Sequence, residues 1–320
     1  MRAAKLTCLL LLLTAVAEGR NVSTFSIVAR DPKTGELGVA VASRFFSVGS
    51  VVPYLKAGTG AVATQANANV TYGPRGLELM AQGATADETL KVLLRGDSNA
   101  KTRQAGLVAA DGSSVSYTGD GCTPWAGGRS GPNYALQGNI LAGEQVVVAM
   151  EKAFLQTSGT LAQRIFASLT AGEAAGGDSR GKQSAALVIV REGAGYGGNN
   201  DRAIDIRVDD HAEPFVELGR LLRYAEMNYA WNEGWTAFVQ KRFPEALEAQ
   251  ERAAKLMPDM PELIYDLAVI RLAAGKRDEA LQALERAVTL NPKLKTQAGR
   301  DTDMDALREH PRFKRLISNP

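Results

Sequence analysis

Apolar and polar positions divide the chain into two regimes. From residue 24 the runs T-F-S-I-V-A-R and E-L-G-V-A-V-A-S are rich in β-branched and small apolar residues. They are joined by Asp31-Pro32-Lys33-Thr34-Gly35, whose Pro and Gly are turn residues, so the pattern predicts a β-hairpin. A further strand is predicted over 60–65. Over 77–94 the period changes: Leu77, Met80, Ala81, Leu90, Leu93 and Leu94 fall at helical spacing. Gly83 breaks this run, and Thr85 with Glu88 three residues on restarts it as an N-cap pair. Strands return over 105–109, 115–118 and 134–137, helices over 144–157 and 161–171, and strands over 185–190 and 203–208. Strands, two helices, strands, two helices, strands suits antiparallel sheets covered by helices on both outer faces, whereas a parallel sheet needs stricter alternation. The expectation is an α+β domain over 20–212, left through a linking helix over 213–226.

From residue 227 the strand pattern stops and a repeat begins. Ala246, Ala253 and Pro258 recur as Ala280, Ala287 and Pro292, each displaced by 34 residues. That period is the signature of tetratricopeptide repeats, in which small residues let paired helices approach and a proline closes the second helix. Gly234 and Ala268 take the small position of the first helix in each copy. Two repeats leave an apolar face open, so a capping helix is expected from Met304 and Leu307 through Phe313, Leu316 and Ile317. The module over 227–320 is thus all-α, with a concave surface suited to a protein partner.

The first 19 residues differ from everything after them. Arg2 and Lys5 precede the uncharged stretch from Leu6 to Ala17, and small residues follow at Ala15, Ala17 and Gly19. This is the pattern of a secretory signal peptide, which places the protein in the periplasm or outside the cell. The stretch is about 12 residues, short of the ~20 that span a bilayer, and no other segment is long enough. No membrane span is therefore expected once the signal is removed.

Composition narrows the chemistry. With 37 basic and 35 acidic residues the formal charge is +2, and no basic stripe suits nucleic acid. Removing the signal removes Cys8, so Cys122 alone remains and no internal disulfide can form. One Cys with His211 and His310 also excludes a Cys/His zinc cluster. No cofactor or metal is expected: Asp205, Asp209 and Asp210 lack the dense oxygen-ligand loop of calcium sites. Cys122, in G-D-G-C-T-P-W, reads either as a nucleophile or as a half-buried loop thiol.

Over about 23–211 the chain resembles a bacterial family known as domain of unknown function 1028, whose fold is placed with the N-terminal nucleophile hydrolases. The resemblance rests on T-F-S-I-V-A-R-D, G-E-L-G-V-A-V-A-S-R-F, A-G-T-G-A-V-A-T-Q-A, Y-G-P-R-G-L, S-G-P-N-Y-A-L-Q-G-N-I-L, G-G-D-S-R-G-K-Q-S-A-A-L and Y-G-G-N-N-D-R. It implies a four-layer αββα sandwich in which Thr24, opening the first strand, stands where the superfamily carries its nucleophile. It further implies Lys56, 32 residues on, as the lysine that lowers the nucleophile's pKa, and Asp178 as the acid that orients it. Gln65, Asn67, Asn139 and Ser184 are the candidate substrate-binding residues, since amide side chains can hold a substrate amide or an oxyanion. Turn and strand-end hydrogen bonding is the competing reading for the amides.

In such hydrolases the residue's own α-amine takes the hydroxyl proton, which an amide nitrogen cannot do. Signal removal after Ala17 or Gly19 leaves residues before Thr24, so a further cleavage at Ser23-Thr24 is required. Two functions stand open. One is an exported hydrolase of a small amide or peptide, with a protein partner on the repeats. The other is a non-catalytic binding or assembly module on a hydrolase-like scaffold. Symmetric homo-oligomers are compatible with both.

Overall fold

The computed structural model describes residues 24–318, so the expected signal peptide and the Ser23-Thr24 bond's upstream partner lie outside the described residues. The chain begins with β1 (Thr24–Arg30) and β2 (Leu37–Ser43), the expected hairpin, paired in register from Thr24 opposite Ser43 to Arg30 opposite Leu37. β3 (Pro53–Lys56) and β4 (Gly60–Ala66) follow, then the helices α1 (Tyr72–Ala81) and α2 (Ala86–Arg95). The helix break falls at Gly83, where φ is +94°, and Thr85 with Glu88 forms the expected reciprocal cap. α1 starts five residues earlier than the apolar spacing suggests. Next come β5 (Arg103–Ala109), β6 (Ser114–Thr118), β7 (Gly127–Gly131) and β8 (Tyr134–Asn139), then α3 (Gln145–Gln156) and α4 (Leu161–Ala174), and finally β9 (Ser184–Val190) and β10 (Arg202–Val208). β3 and β7 are strands that the sequence pattern does not show.

Two antiparallel sheets result, one of six strands in the order β10-β9-β2-β1-β8-β7 and one of four in the order β3-β4-β5-β6. α3 and α4 cover the outer face of the first around Phe25, Ile27, Leu136, Met150, Leu169 and Leu187. α1 and α2 cover the outer face of the second around Val62, Tyr72, Leu93 and Leu107. The inner faces meet through Val28, Val39, Val41, Ala63, Val108 and Val188. The domain therefore has four layers, helices, sheet, sheet, helices.

Strand periodicity decides what this inner layer contains. Alternate residues point to opposite faces, so Phe25, Ile27 and Ala29 meet the helices while Thr24, Ser26 and Val28 face the other sheet. The same parity turns Ser43, Gln65, Gln104, Gln137 and Asn139 inward. Along the central strands the inner face is polar at one end and lined by valine or alanine at the other. The polar end is where β1 begins.

α5 (Pro214–Val239) is one continuous helix of 26 residues. The expected linking helix and the first repeat helix are thus a single element, because no Gly-Pro break or capping signal separates them. Its first turn seals the six-stranded sheet, with Phe215 stacked on Phe25 at 6.2 Å and 13°. Leu218 and Leu222 are buried beside it. α6 (Phe243–Leu256) pairs with the second half of α5, and α7 (Pro261–Ala273) pairs with α8 (Arg277–Leu290). A Cβ on Gly234 would meet the Gln250 side chain at 3.0 Å and the Ala246 carbonyl at 3.3 Å, which is why a small residue stands there. Trp231 and Trp235 of α5 both donate their indole N–H to Asp266 of α7 at 2.8 Å, tying the two repeats together. α9 (Leu294–Arg300) and α10 (Pro311–Ser318) close the module. The capping segment is not one helix as expected: residues 302–307 form a 3-10 turn, and Pro311 starts a separate helix. Among the described residues no helix is long and apolar enough to cross a membrane.

Candidate active site

Thr24 is 1% exposed, at the first position of β1, opposite Ser43 on one side and Asn139 on the other. Its hydroxyl donates to Ser43 Oγ at 3.2 Å. Its carbonyl accepts from Gln65 Nε2 at 3.0 Å and from Asn139 Nδ2 at 3.4 Å. These contacts tie the first residue of the central strand to three neighbouring strands in two sheets.

Gln65 and Asn139 belong to a larger network. Gln104 Oε1 accepts from Gln65 Nε2 at 2.8 Å and from Asn139 Nδ2 at 2.9 Å. Gln104 Nε2 donates to the Gly138 carbonyl at 2.7 Å and to Thr118 Oγ1 at 2.8 Å. Ser26 Oγ donates to Gln65 Oε1 and accepts from Gln137 Nε2 at 2.6 Å. Gln137 reaches across because Gly106 opposes it: a Cβ there would lie 2.1 Å from Gln137 Oε1. All five side chains, Ser26, Gln65, Gln104, Gln137 and Asn139, are buried. Buried amides are stable only when their hydrogen bonds are made, and here they are made with one another and with the backbone of β1 and β8. Gln65 and Asn139 therefore hold Thr24, and a substrate would have to compete with these bonds for their N–H groups.

A cavity of about 460 Å³ opens beside Thr24. Gln65 and Asn139 form its floor with Thr24, Phe45, Val48, Val51 and Val52 one wall, and Asn67, Thr102, Cys122 and Thr123 the other. Asn67 is the exposed amide of this lining. Its N–H donates to the Thr102 carbonyl and its carbonyl accepts from Arg103, while its side chain reaches Thr102 Oγ1 only at 3.5 Å. Behind that wall Asp97 accepts from Arg103 at 2.9 Å, Asn69 at 2.9 Å and Tyr72 at 3.0 Å. The Arg103 guanidinium, first among these donors, holds the Asp97 carboxyl well below the usual carboxylate range.

Asp178 is 5% exposed, and its hydrogen bonds run to Arg44 and Arg180 rather than to the Thr24 hydroxyl. Its carboxylate accepts from the Arg44 N–H at 2.8 Å and from the Arg180 side chain at 2.9 Å, and its backbone bridges to Leu141. Arg44 follows Ser43 and Leu141 lies two residues beyond Asn139, so Asp178 fastens both strands that flank Thr24. It acts on the site through them. Ser184 stands opposite Ser43 in β9, donates to the Phe45 carbonyl and accepts from the Val48 N–H at 3.1 Å. It supports the apolar wall from behind and does not line the cavity, which corrects its assignment as a substrate contact.

Lys56 is the clear departure from expectation. It is exposed at the end of β3, paired with Gly60, next to Pro74 and Glu78. Gly60 is five residues from Gln65 along β4, roughly 16 Å at ~3.3 Å per residue. Lys56 therefore sits at the opposite end of the four-stranded sheet and does not act on Thr24. A fixed spacing along the chain does not survive when the second strand belongs to the other sheet.

Two residues of the site carry weight that sequence reasoning did not give them. Gln104, the hub of the amide network, is preceded by Arg103 in a strand that otherwise reads as apolar core. Its signal is parity, since it falls on the same inward face as Gly106 and Val108. Cys122 lines the same cavity as Thr24 rather than a remote loop. Its Sγ donates to the Arg103 carbonyl at 3.3 Å, and burial pushes its thiol pKa up, which keeps it protonated. Among the described residues no three or more His, Cys, Asp and Glu gather to hold a metal ion.

The pattern of a family of unknown function, DUF1028, matches residues 24–218. The chain belongs to this family. A tetratricopeptide-repeat pattern matches residues 235–310. Among solved structures, the chain is similar to the crystal structure of protein SPO2555 from Silicibacter pomeroyi, a DUF1028 protein. Identity is 27% with a TM-score of 0.58, covering 63% of this chain and 89% of that one. No curated protein matches the chain. The DUF1028 match begins at Thr24, the residue on which the amide network converges.

Proposed function

We propose that the DUF1028 domain is a hydrolase of an amide or related C–N bond, exported through residues 1–19, with Thr24 as nucleophile once every residue before it is removed. The observation that carries this reading is the Thr24 hydroxyl itself: buried, bonded to Ser43 Oγ, and on the floor of a cavity of about 460 Å³. Among the described residues, no His, Lys or carboxylate is hydrogen-bonded to that hydroxyl. The base is then the α-amine that cleavage before Thr24 would create, whose ordinary pKa of ~7.7–8.0 suits it to proton transfer near neutrality.

In the proposed reaction Thr24 Oγ attacks the amide carbonyl carbon while its proton passes to the α-amine. The tetrahedral intermediate collapses, the C–N bond breaks, and the leaving amine takes that proton. Water then attacks the Thr24 ester and gives a proton to the α-amine; the C–Oγ bond breaks and Thr24 Oγ recovers the proton. In this scheme Asn67, the exposed amide of the lining, donates to the carbonyl oxygen. Ser43 orients the hydroxyl, and Gln65, Asn139 and Asp178 hold the strand ends that carry it. The repeats, a module that generally mediates protein–protein contact, hold a protein partner.

Intact mass spectrometry of the mature protein tests the reading. A chain beginning at Thr24, with cleavage and turnover both abolished in Thr24→Ala, is the expected result. A stable mature chain that keeps residues before Thr24 overturns it and leaves the domain a binding or assembly role.

A further inference from the structure

The cavity beside Thr24 has a chemical character that the hydrolase reading does not use. Every residue lining it is uncharged. One side is aliphatic and aromatic, made by Phe45, Val48, Val51 and Val52, with Val48 and Val52 fully buried. The rest is mainly hydroxyl, thiol and amide, with Ala66, Ala68 and Ile140 among them. The nearest charges are engaged elsewhere or face water: Arg103 is paired with Asp97 at 2.9 Å and donates to the Asn67 carbonyl, and Asp120, beside Cys122, is exposed.

From this we infer that the site takes a neutral acyl group, an apolar acyl chain in amide linkage, and rejects acyl groups whose far end carries a carboxylate, phosphate or ammonium. The inference rests on the proposed role of Thr24 for its chemistry but not for its selectivity. An ion at the far end of the acyl chain exchanges water for apolar wall and neutral dipoles; the one charge that cleavage adds, the Thr24 α-amine, stands at the scissile carbonyl and not against that wall, so the transfer is strongly unfavourable. A neutral chain instead buries apolar surface on Phe45 and Val51, the half-exposed members of that side, which leaves its amide carbonyl to the polar side, beside Thr24 and Asn67. The volume lies within the ~300–1,000 Å³ of small-molecule sites, so the acyl group and its first neighbours are what the walls can read.

Binding of three anilides of matched length, hexanoyl, 5-carboxypentanoyl and 6-aminohexanoyl, to the full chain and to Thr24→Ala tests this by calorimetry. The hexanoyl anilide should bind at least tenfold more tightly than either ion in both proteins. Equal or tighter binding of an ionic anilide, or no binding of the hexanoyl compound, overturns the inference. Asn67→Asp, an exposed and nearly isosteric change, should narrow the deficit of the 6-aminohexanoyl anilide about fivefold, the effect of a unit charge ~4 Å away in water. An unchanged ratio would count against that wall as the reading surface. Acylation of Thr24 in the mature chain, followed by mass, reports separately on catalysis. Neutral-selective binding without acylation sinks the hydrolase reading and leaves the selectivity standing.

Discussion

Replacing Gln104 by Leu removes the hub of the buried amide network while nearly preserving its volume, so the loss reads hydrogen bonding rather than a cavity. In the folded protein Gln104 accepts from Gln65 and Asn139 at 2.8 and 2.9 Å and donates to the Gly138 carbonyl at 2.7 Å. All three partners are buried, and only Gln65 and Asn139 border the cavity, where water can replace part of what they lose. The remaining partners, Thr118 Oγ1 at 2.8 Å and the Gly127 carbonyl at 3.3 Å, are half-buried and can be rehydrated. Each buried group left poorly satisfied costs ~1–3 kcal/mol. Gln65 Nε2 keeps the Thr24 carbonyl as acceptor, and Asn139 keeps it at 3.4 Å. The low end of that range therefore applies, and the sum is about 3–4 kcal/mol. Against a typical total of ~5–15 kcal/mol this is a large fraction. For a domain of this size it lowers the calorimetric transition by roughly 6–16 °C. Thr118→Val, which removes only one partner near solvent, should cost under ~1 kcal/mol. A Gln104→Leu transition within about 2 °C of the parent would refute the claim that this network ties the two sheets together at Thr24.

Two other outcomes follow from the geometry. Asp97, held ionised by Arg103, Asn69 and Tyr72, has a folded carboxyl pKa below its unfolded one. It therefore contributes stability above the ordinary carboxylate value of ~3.9, and that stability is lost as pH falls toward the folded value. Asp97→Asn should be less stable than the parent at pH 7 yet lose less between pH 7 and pH 3 in thermal unfolding, and parallel declines would contradict the assignment. A chain ending at residue 225 should fold its α/β domain, whereas one ending at 213 should not. The shorter chain exposes the sheet surface that Phe215, Leu218 and Leu222 bury, at ~1.5–3 kcal/mol each; a soluble, cooperatively melting 24–213 fragment would show that α5 is dispensable.

What the sequence makes legible here depends on how local the determining physics is. The hairpin at Asp31–Gly35, the cap at Thr85 with Glu88 and the 34-residue repeat are local or periodic signals, and each element stands where its signal lies. β7 is G-G-R-S-G, with no apolar alternation, and β3 is four residues beginning with Pro; both are sheet edges, held by neighbours rather than by their own propensity. α5 reads as two helices because its first half carries the apolar pattern of a sheet-covering helix and its second half that of a repeat. The site was half visible for the same reason. Thr24 and the amides Gln65, Asn139 and Gln137 fall on inward-facing positions that strand parity identifies. Which amides meet is a property of sheet-to-sheet docking, so the hub Gln104 and the displacement of Lys56 to the far end emerge only in three dimensions.

The unbroken α5 has a mechanical meaning. At 1.5 Å per residue its 26 residues make a rod of about 39 Å, with one end wedged beneath Phe25, the neighbour of Thr24, and the other built into the first repeat. There is no slack tether between the two modules. A partner held on the repeats is carried at a set reach and bearing from the Thr24 cavity, like cargo on a boom, and a force on the repeats is delivered to the strand that bears Thr24.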